Sequence, residues 1–443
     1  MTTFDEILPL LSDALLFSQS ALEPFLPILV NRDLNGRVRL YLDGQHELPN
    51  GEGRIGSLAN FVELISSILA PHVGGVDEIL AFKDNLSDFI RSSTVFPFSE
   101  QQGHILSQIY VADRLAQEAT WETISSYTSL APRVVFYSIK GGVGRSTALA
   151  ACAWALAASG QRVLVLDLDL ESPGLSTSLL PQSRQPAYGI TDWLVEDLVG
   201  NGDAVMEQMH ASLSTPQRGE LIVVPSHGFE PGEYVSKLGR VWMPGFTSEG
   251  HRQNWSERLQ RLILALEQKH QPSIVLIDSR AGIDEVASAC VTDLGAKLIY
   301  LFALDSLQTW QGYRILFEHW RLHDVATKIR ERLRVVGALL PTWGDQAFLQ
   351  ATAQLRENAY LNFSQILYDE ELAGAALLLA DEPFNFDLPD LDAPHSPLAI
   401  GWNQGFAAIG SLHERLAASE ANQIKFVFGP LIDNLLAVCG AEP

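Results

Sequence analysis

The spacing of apolar residues changes character near residue 130. Before it, apolar positions recur every three to four residues, as in 57–65 (Ser-Leu-Ala-Asn-Phe-Val-Glu-Leu-Ile), the repeat of a helix with one buried face. Residues 37–42 alternate instead, as a strand with its apolar side inward, and the turn pair Asp43-Gly44 follows. From Arg133 onward, short apolar runs at 133–139, 162–167, 221–224, 273–278, 297–302 and 334–340 read as strands buried on both faces. Helical stretches such as 257–266 separate them. Continuous apolar strands alternating with helices predict an α/β fold around a doubly wound, mostly parallel sheet. Ser125, Ser126, Ser129 and Pro132 mark 122–132 as a linker. The expected division is a smaller, mainly helical α+β domain over 1–130 and an α/β domain over 131–443.

Charge narrows the class of partner. The chain holds 30 Lys+Arg against 53 Asp+Glu, a formal net charge of −23. Residues 1–130 carry 7 basic and 17 acidic groups (7 − 17 = −10), so the remaining −13 lies beyond them and the excess is not confined to a tail. Such a surface repels phosphate backbones, which disfavours non-specific DNA binding. Cys152, Cys290 and Cys439 form no CxxC pair, which predicts three buried thiols in a reducing compartment and no disulfide or zinc framework. The acidic start MTTFDEILPL lacks a signal peptide's basic region, and no apolar run reaches the ~18–20 residues of a membrane span. A cytoplasmic protein is expected.

The chemistry-bearing segment follows the first predicted strand: Lys140-Gly141-Gly142-Val143-Gly144-Arg145-Ser146-Thr147, then an alanine-rich helix over 147–159 stopped by Gly160. Glycines let a backbone curl so that successive N–H groups face one anion, and the helix N-terminus adds its positive dipole end. Ser146 falls where a hydroxyl can ligate Mg²⁺ on nucleotide phosphates. Two further strands end in carboxylates: Asp167-Leu168-Asp169 before Pro173-Gly174, and Asp278-Ser279-Arg280-Ala281-Gly282. Asp167 and Asp169 can both approach a metal–phosphate site, or cap the turn that follows. An apolar strand ending in Asp278 suits a carboxylate that holds Mg²⁺.

The loop resembles the deviant Walker A box, KGGxGK[ST], of the MinD/ParA family of P-loop ATPases, departing from it at Arg145. The resemblance spans about 131–345 and implies a SIMIBI-like P-loop NTPase fold that binds ATP with Mg²⁺. It implies that Lys140 reaches across a homodimer interface to the partner's nucleotide phosphates and that Asp169 positions the attacking water. The loop residues 140–147 then cradle phosphate, Gly282 gives a backbone N–H to the γ-phosphate, and Ser146, Asp278 and Asp167 surround the metal. Arg145 keeps the positive charge but presents a planar fork where the family has a compact ammonium. It can clamp phosphate oxygens or slow their hydrolysis. Arg280 stands where MinD has proline, and either senses the γ-phosphate or pairs with Asp284 or Glu285. The segment 340–345 takes the place near the base.

The implied function is an ATP-dependent dimerisation switch, slow in turnover, that controls a protein partner, as in bacterial signalling or defence. Alternatives are a ParA-like DNA-partition ATPase, disfavoured by charge, and a nucleotide-sensing scaffold without turnover. The absent CxxC disfavours a metal-cluster carrier. Three carboxylates in 387–394 make a solvated loop or a weak cation site. The eleven histidines show no HExxH and no paired spacing, so no histidine metal site is expected. Residues 426–436 are amphipathic but lack the basic face of a membrane-surface helix, which predicts a core or dimer helix.

Overall fold

The computed structural model describes residues 2–33, 36–44, 58–92, 95–99, 105–113, 121–125, 129–215, 219–247, 249–341, 344, 346–369, 383–403, 406 and 421–440. The chain divides into two compact units, Met1–Glu118 and Ala119–Pro443.

The first unit is built on a five-stranded mixed sheet in the order β3-β2-β1-β5-β4. Its strands are β1 (Ile28–Arg32), β2 (Val38–Asp43), β3 (Leu80–Lys83), β4 (Phe96–Ser99) and β5 (Ile105–Asp113). Helices Ile7–Phe17 and Ala59–Leu69 supply Leu11, Leu15, Phe61 and Ile65 to a core shared with β1 and β2. Helix therefore accompanies a fuller sheet than the single strand legible at 37–42.

The second unit holds an eight-stranded sheet in the order β15-β14-β13-β6-β12-β7-β9-β8. The strands are β6 (Arg133–Ser138), β7 (Arg162–Asp167), β8 (Ala211–Ser214), β9 (Glu220–Val224), β12 (Ile274–Ala281), β13 (Leu298–Ala303), β14 (Leu333–Leu340) and β15 (Leu398–Gly401); a separate hairpin joins β10 (Gly245–Phe246) and β11 (Arg252–Gln253). All sheet pairings are parallel except the edge pair β8–β9. Alternate residues of β6 explain the double winding. Val134 and Phe136 face a core containing helix Arg145–Ala158, whereas Val135 and Tyr137 face helices Trp255–His270 and Leu307–Leu322. Helix Arg145–Ala158 tolerates this crowding because it is mostly alanine: Ala148, Ala150, Ala151 and Ala153 are buried and let it lie close to the sheet. The C-terminal helix Ala421–Val438 covers it with Ile424, Phe428, Leu431 and Leu435 and is thus a core helix.

Arg133, fully buried at the start of β6, forks onto Glu267 at 2.7 and 3.0 Å and donates to the Leu294 carbonyl at 2.7 Å. This ties the central strand to helix Trp255–His270. The segment read as a linker belongs to this unit: Trp121 is buried against Tyr137 and Trp320, and the Ser125 N–H donates to the Thr292 carbonyl. An aromatic anchor outweighs the serines around it. Asp387, Asp390 and Asp392 lie exposed in a surface loop. Cys152 and Cys290 are buried, while Cys439 is only half-buried, a correction to the expectation of three buried thiols. Among the described residues no helix is long and apolar enough to cross a membrane.

Candidate nucleotide and metal site

The carboxyl ends of β6, β7 and β12 meet where a parallel sheet presents its loops. β6 runs into 140–144, and Gly142 (φ +75°) and Gly144 (φ +79°) take left-handed backbone that a side chain would strain. The chain there curls and enters helix Arg145–Ala158 with Gly144 as its N-cap. An open concavity of about 520 Å³ results, lined by 141–147 together with Ser138, Asp169, Ser172, Arg280 and Ala281. Its size lies within the roughly 300–1,000 Å³ of small-ligand pockets.

Beneath the loop lies an arrangement no spacing revealed. Arg145, 6% exposed, donates from its guanidinium through Nε to Asp278 Oδ1 at 2.7 Å and through Nη2 to Asp169 Oδ2 at 3.1 Å, with Nη1 3.4 Å from Ser138 Oγ. Burial alone would lower its pKa; the charges of Asp278 and Asp169 more than offset this and raise it. Arg145 therefore clamps two carboxylates in this arrangement. A buried carboxylate takes the cation it can reach, and the long arginine stem reaches under the loop.

Asp167 pairs in register with Asp278 across β7 and β12 and is wholly buried, and neither of its carboxylate oxygens has a hydrogen-bond partner of good geometry. Burial first, and then the Asp278 charge, push it up to about 7. Asp169 is raised by burial, with Arg145 pulling the other way, and its Oδ1 is buried with no hydrogen bond of good geometry. One guanidinium thus pairs with two carboxylates, and a third, Asp167, lies in register with Asp278. Together with the Ser146 hydroxyl in the first helical turn, this surplus of oxygen donors fits a hard divalent cation. Neither Asp278 nor Asp167 lines the concavity, and Asp278 is held by Arg145, so a metal reaches Asp278 only if Arg145 yields.

One expectation is corrected, for Gly282, and one of the two readings of Arg280, its pairing with Asp284, is met. The Gly282 N–H donates to the Ser138 carbonyl at 2.9 Å, because the strand pairing of β6 and β12 resumes after a bulge between Asp278 and Ala281; it is not turned to a phosphate. Arg280 pairs with Asp284 at 3.2 Å and also with Glu171 at 2.6 Å, whereas Glu285 accepts from the Trp255 indole. Arg280 thus bridges the segments after β7 and β12. Lys140 lies outside the concavity and donates to Gln308 at the start of helix Leu307–Leu322. Sequence reasoning missed Glu171, Gln308 and Ser138; only Ser138, a hydroxyl just ahead of the loop, carried a local signal. Thr342, Trp343 and Asp345 of the segment near the base lie outside the described residues. One histidine grouping also corrects the sequence reading: His319 and His323, four residues apart, stand beside Glu122.

The sequence profile of the CobQ/CobB/MinD/ParA nucleotide binding domain matches residues 134–377, more than half of the chain. The chain belongs to this family. The second unit accordingly contains a MinD/ParA-like P-loop nucleotide-binding domain, and the glycine loop 140–147 lies within the matched span. The chain is similar to the solved structure of MinD from Pyrococcus horikoshii complexed with Mg-ADP (17% identity, 70% of this chain and 98% of that one, TM-score 0.42). It is also similar to pNOB8 ParA bound to nonspecific DNA (14%, 70% and 97%, 0.41) and to MinD of Aquifex aeolicus (15%, 69% and 98%, 0.40). A comparison with curated protein sequences returns no match.

The Asp167 pKa carries a pH signature. Its folded pKa, about 7, lies above the ordinary 3.8, so the folded state binds the proton more tightly than the unfolded chain. Stability is then full at low pH and declines as pH rises from about 4 to about 7. Asp167→Asn removes this decline. In magnesium-free buffer at pH 8 the variant is expected to be more stable than the parent by about 2 kcal/mol, roughly half the full linkage value because relaxation relieves part of the burial cost. The advantage shrinks toward pH 5. Urea unfolding at both pH values measures this, and equal stability at pH 8 contradicts it.

Proposed function

We propose that the second unit is an ATP-binding, ATP-hydrolysing switch that pairs with a second copy of itself and so controls a protein partner. The observation that carries this is the convergence of one curled glycine loop, one buried cation and three carboxylates at the ends of adjacent parallel strands.

Backbone N–H groups of the phosphate loop and the N-terminus of helix Arg145–Ala158 bind the ATP phosphates. Ser146, Asp278 and Asp167 would hold Mg²⁺, which would supply positive charge to offset that of the bound phosphates. Arg145 leaves Asp278 and turns its guanidinium toward those phosphates, so nucleotide binding and the opening of two buried ion pairs are one event. Asp169, released by the same movement, orients a water. The bridge from Arg280 to Glu171 and Asp284 carries the change between the segments after β7 and β12. Lys140, directed away from its own concavity, serves a nucleotide held by the second subunit. The net charge of −23 supports a protein partner over DNA.

A second reading, a nucleotide sensor without turnover, is favoured by the same Arg145 clamp: if both ion pairs persist with ATP bound, Asp169 never reaches water. Solution mass with ADP and with ATP, alongside phosphate release, separates the two. The switch predicts a doubled mass with ATP and slow phosphate release. Doubling without release supports the sensor. Unchanged mass without bound nucleotide refutes both.

A further inference from the structure

Glu122, His319 and His323 form a grouping that does not line the glycine-loop concavity. His319 sits in the last turn of helix Leu307–Leu322, and His323 caps its C-terminus. Four residues apart, they occupy one face of the helix, a turn from each other. Their ring centroids are 4.5 Å apart. Glu122 arrives from a different part of the chain, with its Oε1 3.8 Å from His323 Nε2. One ligand atom from each of the three residues lies within 4.8 Å of the others.

The surroundings are those of a built site. The side chains of His323 and Glu122 are only 16% and 18% exposed. Trp121, next to Glu122, is buried with its ring 6.0 Å from Tyr137 and 6.3 Å from Trp320, the residue that follows His319 on the helix. Ser125 closes the segment through its bond to Thr292. The backbone that carries Glu122 is thus anchored on both sides, and the histidines stand on a regular helix, so little ordering remains to be done when an ion arrives.

We propose that Glu122, His319 and His323 bind a zinc ion that staples residues 121–125 to the C-terminal end of helix Leu307–Leu322. Two imidazole nitrogens and one carboxylate oxygen suit zinc, whereas Mg²⁺ and Ca²⁺ prefer oxygen alone. Zinc–ligand bonds of about 2.0–2.2 Å place neighbouring donors in a tetrahedron roughly 3.3 Å apart. The 3.8 Å pair is near that spacing, and small side-chain rotations bring in the third donor. The fourth position is left to water. The ion neutralises Glu122 and fastens the start of the second unit to a helix whose first turn receives Lys140.

The test uses the full chain, stripped with a chelator, desalted, and titrated with Zn²⁺ alone against a chromophoric competitor, without nucleotide. One equivalent is expected to bind, to resist millimolar Mg²⁺ and to raise the melting temperature. Co²⁺ in its place is expected to give the visible absorption of a four-coordinate ion. His319→Ala/His323→Ala is expected to weaken zinc binding at least about 100-fold and to abolish the cobalt spectrum; Glu122→Gln weakens it about tenfold. Should the double variant lose its circular dichroism, His323→Gln and Glu122→Gln carry the comparison. Equal affinity in parent and variants would mean that other histidines bind the ion, and would overturn the proposal, as would the absence of a tight equivalent in the parent.

Discussion

Arg145→Met is expected to destabilise the second unit by about 3–5 kcal/mol at neutral pH, the usual cost of leaving a buried charge without its partner. Methionine keeps much of the volume, so the loss is electrostatic. The guanidinium is the group that pairs with Asp278, itself 1% exposed, and with Asp169, while buried Asp167, in register with Asp278, has no hydrogen bond of good geometry to either oxygen. Without it, three carboxylates crowd a low-dielectric pocket and must take up protons or unfold the site. Denaturant unfolding of the magnesium-free protein measures the loss. Adding Asp278→Asn should restore at least half of it, because the uncompensated charge is then removed as well. Arg145→Lys should fall between parent and methionine variant, since one ammonium cannot span both carboxylates as the fork does. A methionine variant within about 1 kcal/mol of the parent would show that the ion pairs do not hold the site together.

Asp169→Ala is expected to keep ATP bound and to lower turnover about 10²- to 10⁴-fold, the span that a positioned acid–base group contributes. Its carboxylate lines the concavity, half-buried, with one oxygen on Arg145 and the other without a hydrogen bond of good geometry. Burial raises its pKa and Arg145 lowers it, so opening of the ion pair makes Asp169 a stronger proton acceptor at the moment nucleotide enters. Single-turnover phosphate release measures the step, and solution mass in ATP should show the paired form lasting longer in the variant. Turnover within tenfold of the parent would remove Asp169 from the chemistry. Because the substitution also takes one partner from Arg145, unfolding is measured in parallel, so that a weakened fold is not mistaken for a slowed reaction.

The central strands of the second unit were readable residue by residue because runs such as Val134–Phe136 and Val163–Leu166 are buried on both faces and are bounded by turn residues. The shorter edge strands β8 and β15 escaped notice, since four residues with mixed burial carry no period. The first unit hid most of its sheet for the same reason: β3 is half-buried throughout, and β4 contains a proline that reads as a break. Serines at 125–129 imitated a linker because polarity is local, whereas the burial of Trp121 depends on Tyr137 and Trp320, distant in the chain. His319 and His323 were near enough to be paired by spacing alone; Glu122, two hundred residues earlier, was not.

By itself, the sequence determined the phosphate loop, the strands on either side of it and the carboxylates at their ends. Glycine dihedrals, β-branched runs and a helix start are set by residues within a few positions of one another. Only the tertiary structure decided what Arg145 does with its charge. Its partners Asp169 and Asp278 lie 24 and 133 positions away, and they become partners because folding removes water from between them. In that low dielectric a charge pairs with whatever opposite charge the packing brings within reach.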